Sequence, residues 1–195
     1  YGWVGLAATA ARMAKSSSGC PFARGNRNDR VCRGAGSCGA ARGCCGVVMT
    51  LRIEPVSAQT WRACEALRVL PEQRAFVADV SHYLCLCAYE DTWQPVAAVL
   101  DDTVVGFAMW GVDDDHSRWI GGVVIDREHQ GRGLGSALMI QLRDQLAAEP
   151  DCPNVALSIS PDNTVARALY ASLGFAETGE LDDTELVARW VARTP

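Results

Sequence analysis

From Leu51 onward the apolar residues fall into short alternating or continuous blocks divided by polar turns, the pattern of a chain that switches repeatedly between strands and helices. Residues 50–55 alternate around Leu51 and Ile53 and predict a strand. Ser57 stands where an N-cap opens a helix carrying Trp61, Cys64 and Leu67 on one face. Residues 77–88 predict a second, less regular helical region. Residues 95–100 and 103–110 are apolar strands separated only by Asp101-Asp102, short enough for an antiparallel hairpin, and a polar loop fills 112–117. The next strand, 119–125, runs into a glycine-rich turn over 126–135. Leu134, Leu138, Leu142 and Leu146 then recur every four residues on one face of a long helix that Pro150 ends. A strand at 155–159, a helix over 163–173 with Gly174 at its stop, and two short strands complete the order. Such an order predicts a mixed α/β fold, one sheet with helices on both faces.

Residues 1–48 break this pattern. They are rich in Gly, Ala, Arg, Ser and Cys, show neither the helical nor the strand period, and are expected to be a disordered or non-native extension ahead of a domain spanning 49–195. Charge divides at the same place: seven Lys/Arg against one acid before Met49, and eleven Lys/Arg against twenty-two Asp/Glu from there on. An acidic domain repels nucleic acid and favours cationic small molecules in a cleft lined by carboxylates. Five of the nine cysteines lie in the extension, where no CxxC pair and no His before His82 supply zinc-ligand spacing, so no metal is expected. Cys64, Cys85, Cys87 and Cys152 sit in apolar patterns and read as reduced, buried thiols. No apolar run approaches membrane-spanning length, and the weak patch at 4–11 lacks the basic region of a secretory signal, so the expectation is a cytoplasmic protein with no membrane partner.

The strongest chemical signal is Gln130-Gly131-Arg132-Gly133-Leu134-Gly135, followed by Ser136. Glycines at alternate positions let the chain curl so that several N–H groups converge, and the helix that follows adds its positive end, an arrangement suited to phosphate. The spacing departs from the dinucleotide fingerprint, and the Lys-Ser/Thr of a nucleoside triphosphate loop is missing.

The run Gln130-x-x-Gly133-x-Gly135, after an apolar strand ending Val123-Val124-Ile125-Asp126, resembles the acetyl-CoA loop of the GNAT superfamily of N-acetyltransferases. The second family element follows in order as Asn163-x-x-Ala166-x-x-Leu169-Tyr170-x-x-x-Gly174-Phe175. The resemblance implies a central, mostly antiparallel twisted sheet and acetyl-CoA as co-substrate. It assigns cofactor binding to Val123, Val124, Ile125, Gln130, Gly131, Arg132, Gly133, Leu134, Gly135, Ser136, Asn163 and Tyr170. A strand amide at Val124 or a neighbour is expected to stabilise the oxyanion, and Tyr170 matches the general acid that protonates the departing thiolate.

Softer motifs in the first half, Pro71-Glu72-Gln73, Phe76-Val77, Ala88-Tyr89-Glu90, Trp93, Pro95-Val96-Ala97 and Val105-Gly106-Phe107-Ala108-Met109, resemble bacterial spermine/spermidine (diamine) acetyltransferases. A polyamine is the favoured acceptor on that resemblance, against another small amine, an aminoglycoside-like compound or a protein N-terminus. A non-catalytic acyl-CoA-binding module is the reading from a different class. Many relatives form dimers, which carries an expectation of a homodimer. Gly121-Gly122 on the central strand departs from that branch and leaves room on the sheet face. Candidate substrate-binding carboxylates are Glu90, Asp91 and Asp115, and Asp113, Asp114 and His116 join them as candidates for receiving the amine's proton.

Overall fold

The structure, a computed structural model, describes residues 51–192. The expectations placed on residues 1–48, including those on their five cysteines, lie outside the described residues. Seven strands form one sheet in the order β1-β2-β3-β4-β5-β7-β6: β1 Leu51–Pro55, β2 Trp93–Leu100, β3 Thr103–Val112, β4 Arg118–Ile125, β5 Val155–Ile159, β6 Ala176–Asp182 and β7 Glu185–Trp190. Every neighbouring pair is antiparallel except β4 and β5, which run parallel. Four α-helices accompany them, α1 Trp61–Glu65, α2 Val80–Tyr89, α3 Leu134–Ala147 and α4 Thr164–Ser172, with a 3-10 helix at Pro71–Ala75. The expected mixed α/β fold with a mostly antiparallel sheet is what forms.

Strand alternation sends alternate side chains into two cores. On one face Val96, Ala98, Ala108, Trp110, Ile120 and Leu157 pack against Leu138, Met139, Leu142 and Leu146 of α3, with Tyr170 of α4 beside them. On the other, Trp93, Phe107, Met109, Trp119 and Val124 pack against Cys64 and Leu67 near α1 and against Val80 and Tyr83 of α2. The leucine repeat of α3 thus lands on the sheet as its spacing requires. No helix among the described residues is long and apolar enough to cross a membrane.

Local chemistry sets the element ends. Asp101 and Asp102 both take left-handed backbone (φ 46° and 65°), which a two-residue hairpin between β2 and β3 demands, and Arg52 Nη2 donates to Asp102 Oδ1 at 3.0 Å. The first helix differs from its sequence reading. Ser57 organises a turn with Thr60 (Thr60 Oγ1 accepts from the Ser57 N–H at 2.9 Å), so α1 starts at Trp61 and makes little more than one turn. Cys64 and Leu67 are buried as expected, but Cys85, expected to be buried, is exposed, Cys87 and Cys152 are half-buried, and Trp61 faces outward with the Arg62 guanidinium 4.4 Å above its ring. The 3-10 helix, opened by Pro71 at its first position, had no periodicity to announce it.

α4 closes in a Schellman arrangement: Gly174 N–H donates to the Ala171 carbonyl and Phe175 N–H to the Tyr170 carbonyl, each at 3.0 Å. Gly174 has φ 87°, and a Cβ there would lie 3.3 Å from the Trp190 ring. Gly174→Ala is therefore expected to cost about 1–3 kcal/mol, lowering the thermal midpoint by roughly 2–4 °C per kcal/mol. A melting curve superimposable on that of the parent protein would contradict this account of the helix end.

Candidate functional site

The sheet opens in its middle. β4 and β5 share only two register pairs, Arg118↔Val155 and Trp119↔Ala156, anchored by Arg118 N–H to the Asn154 carbonyl at 3.0 Å. Beyond them the strands part, and residues 120–125 of β4 and 157–159 of β5 become the two sides of a cleft of about 650 Å³. Gly122 contributes to the parting. It sits at a register shift against β3 with φ 59°, and a Cβ on it would meet the Tyr83 ring at 3.1 Å. Of Gly121 and Gly122, the second is thus used for an irregular strand and a close aromatic approach.

Alternation along β4 determines which amides face the opening. Val124 is the register partner of Phe107, and Asp126 N–H donates to the Val105 carbonyl at 2.9 Å, so Val124 and Asp126 direct their amides to β3. Val123 and Ile125, between and beside them, direct theirs into the cleft. Of Val124 and its neighbours, the neighbours are the ones whose N–H groups face the cleft, because the N–H of Val124 is engaged within the sheet.

The glycine loop forms one end of the cleft. Gly131 and Gly133 both have φ 75°, and nothing lies within 4 Å of where a Cβ would stand on either, so the backbone is exposed to an approaching ligand. Gly133 is the N-cap of α3, whose first bond is Ala137 N–H to the Gly133 carbonyl at 3.0 Å. The N–H groups of Leu134, Gly135 and Ser136 are left pointing out of the helix start, where the dipole is positive. Gln130, Gly131, Gly133, Leu134, Gly135 and Ser136 line the cleft, whereas Arg132 is exposed and turns its guanidinium toward the Glu128 carbonyl at 3.4 Å.

Gln130 has a further duty. Its Nε2 donates to the Ile125 carbonyl (2.9 Å) and to Gln73 Oε1 (2.8 Å), and Gln73 Nε2 returns a bond to Gln130 Oε1 (3.1 Å). Gln73 Oε1 also accepts from the Leu70 N–H at 3.1 Å. The pair clasps the loop to the end of β4 and to the 3-10 helix, so the Gln130 carboxamide is committed within the protein. Asp126 steadies the same turn. Burial works against its charge, but the N–H groups of Glu128 and Arg68, with His129 nearby, hold its carboxyl below the ordinary carboxylate range.

Asn163 and Tyr170 enter from α4. Asn163 is the N-cap, its side chain accepting from the Ala166 N–H at 3.1 Å, and it lines the cleft. Tyr170 packs edge-on against Phe175, 6.0 Å between ring centres, and reaches the cleft from the α4 side of the sheet. Tyr83 reaches it from the α2 side, stacked 6.1 Å from Phe107, its hydroxyl accepting from the Ala78 N–H at 2.9 Å. Burial, then the neighbouring Tyr83 and Glu185, push the Tyr170 phenol up to about 12. Burial likewise lifts Tyr83 to about 12.

The carboxylates singled out in the sequence are elsewhere. Glu90 and Asp91 follow the end of α2 and do not line the cleft, nor do Asp113, Asp114, Asp115 and His116 in the β3–β4 turn. Asp115 is occupied in holding that turn. Despite its partial burial, the Ser117 N–H at 2.8 Å and Arg189 at 4.0 Å keep its carboxyl below the usual range. Among the described residues, the charged ones lining the cleft are Glu72 and Glu185, with no Lys, Arg or His beside them. Neither had been named as an acceptor-side candidate. Glu185 gives no local sequence signal, since its partner Ser158 is on another strand and meets it only through the β5–β7 register.

These elements coincide with known proteins. A family model described as the Acetyltransferase (GNAT) family matches residues 59–175. The spermine/spermidine N(1)-acetyltransferase of Bacillus subtilis (strain 168) is 32% identical over 146 residues, spanning 69% of this chain and 93% of that protein. Among solved structures, AAC(6')-Ib in complex with paromomycin and acetyl-CoA gives a TM-score of 0.62 at 18% identity, over 74% of this chain and 94% of that one. Spermidine N-acetyltransferase from Vibrio cholerae, in complex with CoA and spermine, gives 0.56 at 16% identity, over 71% and 92%. At such identities the structural likeness speaks to the fold.

The glutamine clasp makes its own prediction. Gln73→Ala and Gln130→Ala should each destabilise the protein by about 1 kcal/mol, because each leaves half-buried amide groups without partners. The double variant should cost less than the sum, with a coupling of about 0.5 kcal/mol or more. Urea unfolding of the four proteins measures this, and strict additivity would show that the two side chains act independently.

Proposed function

The chain belongs to the GNAT family of acetyltransferases and is an N-acetyltransferase, and on that premise we propose that it moves an acetyl group from acetyl-CoA to a primary amine of a small polyamine. The observation that carries this reading is the opened sheet. One continuous cleft joins a phosphate-sized glycine loop, two inward-facing strand amides, a phenol and a region whose charged side chains are all negative.

The residues present fit the donor. The exposed backbone at Gly131 and Gly133 and the outward amides of Leu134, Gly135 and Ser136 would hold its diphosphate, and the edge of β4 from Val123 to Ile125 would pair with its amide-bearing arm. Bound there, acetyl-CoA supplies an acyl thioester within the parted strands. One of the inward N–H groups of Val123 and Ile125 would donate to the carbonyl oxygen as it gains negative charge, leaving the other to pair with the arm. Tyr170 holds its proton on the phenolic oxygen and is the group to deliver it to the leaving sulfur. The apolar walls, among them Phe76, Val77, Leu157 and Ile159, keep water from competing with the amine.

Polyamine is favoured over other amines by the relative that spans most of this chain and by the negative lining of the cleft. A thiol-trapping assay for coenzyme A release, run across linear polyamines, aminoglycosides and amino acids, tests the reading. Turnover confined to the non-polyamine arms would refute the acceptor class.

Tyr170→Phe should lower kcat by about 10²–10⁴-fold while leaving the dissociation constant for acetyl-CoA within a few-fold. A phenol raised to about 12 keeps its proton to higher pH than free tyrosine, so its ionisation removes no activity between pH 8 and 10. The wild-type kcat profile should therefore show no descending limb in that window, and one centred near 10 would count against Tyr170. Gly133→Ala places a methyl group in the loop's open face and strains a left-handed residue by about 1–2 kcal/mol. Calorimetry should show acetyl-CoA affinity reduced tenfold or more, well beyond any loss in melting temperature.

A further inference from the structure

The cleft has two ends, and only the loop end has an assigned ligand group. At the other end, Glu185 opens β7 immediately after the β6–β7 turn. Ser158 Oγ donates to Glu185 Oε2 at 2.6 Å. The β5–β7 register, with Ser158 opposite Val187, puts Ser158 and Glu185 on the sheet face that carries Trp119, Val124 and Val187 and that α2 covers with Tyr83. Glu185 is half-buried and lines the cleft with Tyr83, Trp93, Trp119, Phe76 and Val77.

Among the described residues Glu185 has no cationic partner. The nearest arginine along its own strand, Arg189, is engaged with Glu180 at 3.3 Å, with Asp115 at 4.0 Å and with Asn154 Oδ1 at 3.0 Å, and lies over the Trp119 ring at 5.6 Å. It does not line the cleft. A carboxylate oriented by one hydroxyl, set among apolar and aromatic walls and left without a counter-ion, is an unneutralised charge that an external cation satisfies.

We propose that Glu185, positioned by Ser158, is the anionic anchor that seats an alkylammonium group of the acceptor in the α2-side end of the cleft. The inference rests on the N-acetyltransferase reading and names the acceptor-recognition residue within it. Carboxylate and phenol are within electrostatic reach of each other across the parted strands, since Glu185 is one of the groups that raise Tyr170. A cation seated on Glu185 offsets that influence, the smallest of the causes that raise the phenol, while burial, the largest, still holds it above its ordinary value.

The test uses the full chain and the variants Glu185→Gln and Ser158→Ala, with Glu149→Gln removing one charge outside the cleft. The glutamine keeps an oxygen to accept from Ser158 while losing the charge. Steady-state rates with linear diamines and triamines should show KM raised tenfold or more in Glu185→Gln, with kcat changed less. Ser158→Ala should show an intermediate rise, and Glu149→Gln none. Acetyl-CoA affinity and melting temperature should stay at wild-type values in all three.

Equilibrium dialysis of a radiolabelled linear diamine against the protein saturated with coenzyme A gives a second readout that needs no turnover. The wild type should bind it and Glu185→Gln should bind at least tenfold more weakly. Unchanged KM and unchanged diamine binding in Glu185→Gln would overturn the anchor, and so would a fall in kcat alone. Wild-type protein that retains the diamine through Glu185 yet acetylates no amine would instead defeat the catalytic reading and leave the anchor standing.

Discussion

Everything at the site follows from two parallel strands that fail to stay together. A parallel pair inside a sheet ordinarily continues its hydrogen bonds to the strand ends, because unpaired main-chain groups in a protein interior are costly. Here β4 and β5 pair at Arg118 and Trp119 and then separate, with Gly122 bending β4 on the way. The unsatisfied edge of β4 survives because it opens into a cleft, where a ligand with amide groups of its own can complete the ladder. The flanking antiparallel ladders, β3 on one side and β7 on the other, hold the separated strands in place.

The parted strands also join what the two cores would otherwise keep apart. Tyr170 belongs to the core under α3 and α4, while Tyr83, Trp119 and Glu185 belong to the face under α2. An intact sheet would insulate one set from the other. Through the opening, a phenol from one side and a carboxylate from the other address the same space.

Elements whose signal is local were legible in the sequence. β5 occupies the residues its alternation marked, α3 buries its leucine repeat, and Asn163 and Gly174 cap α4 at the positions their chemistry indicated. The glycine loop was legible because left-handed backbone leaves few other choices of residue. What was not legible depends on contacts distant in sequence. The outward turn of Trp61 follows from a helix shortened by Ser57 and Thr60. The orientation of the β4 amides follows from a register shift against β3, which displaced the expectation from Val124 to its neighbours. Glu185 stayed hidden among the acids of the last strands until the β5–β7 pairing brought Ser158 to it, while Glu90, Asp91 and Asp115, which looked equally suitable, belong to helix and hairpin ends.

The clasp between Gln73 and Gln130 is made wholly of carboxamides, and carboxamides do not titrate in water. An arginine–glutamate pair in that place would loosen as salt screened it and would couple the loop to the ionisation of its surroundings. A neutral clasp is blind to both. The mouth of the cleft should therefore keep one shape into the alkaline range where an alkylamine sheds its charge and becomes nucleophilic, so that the chemistry of the reactants, and not the mechanics of the protein, sets how the rate varies with acidity.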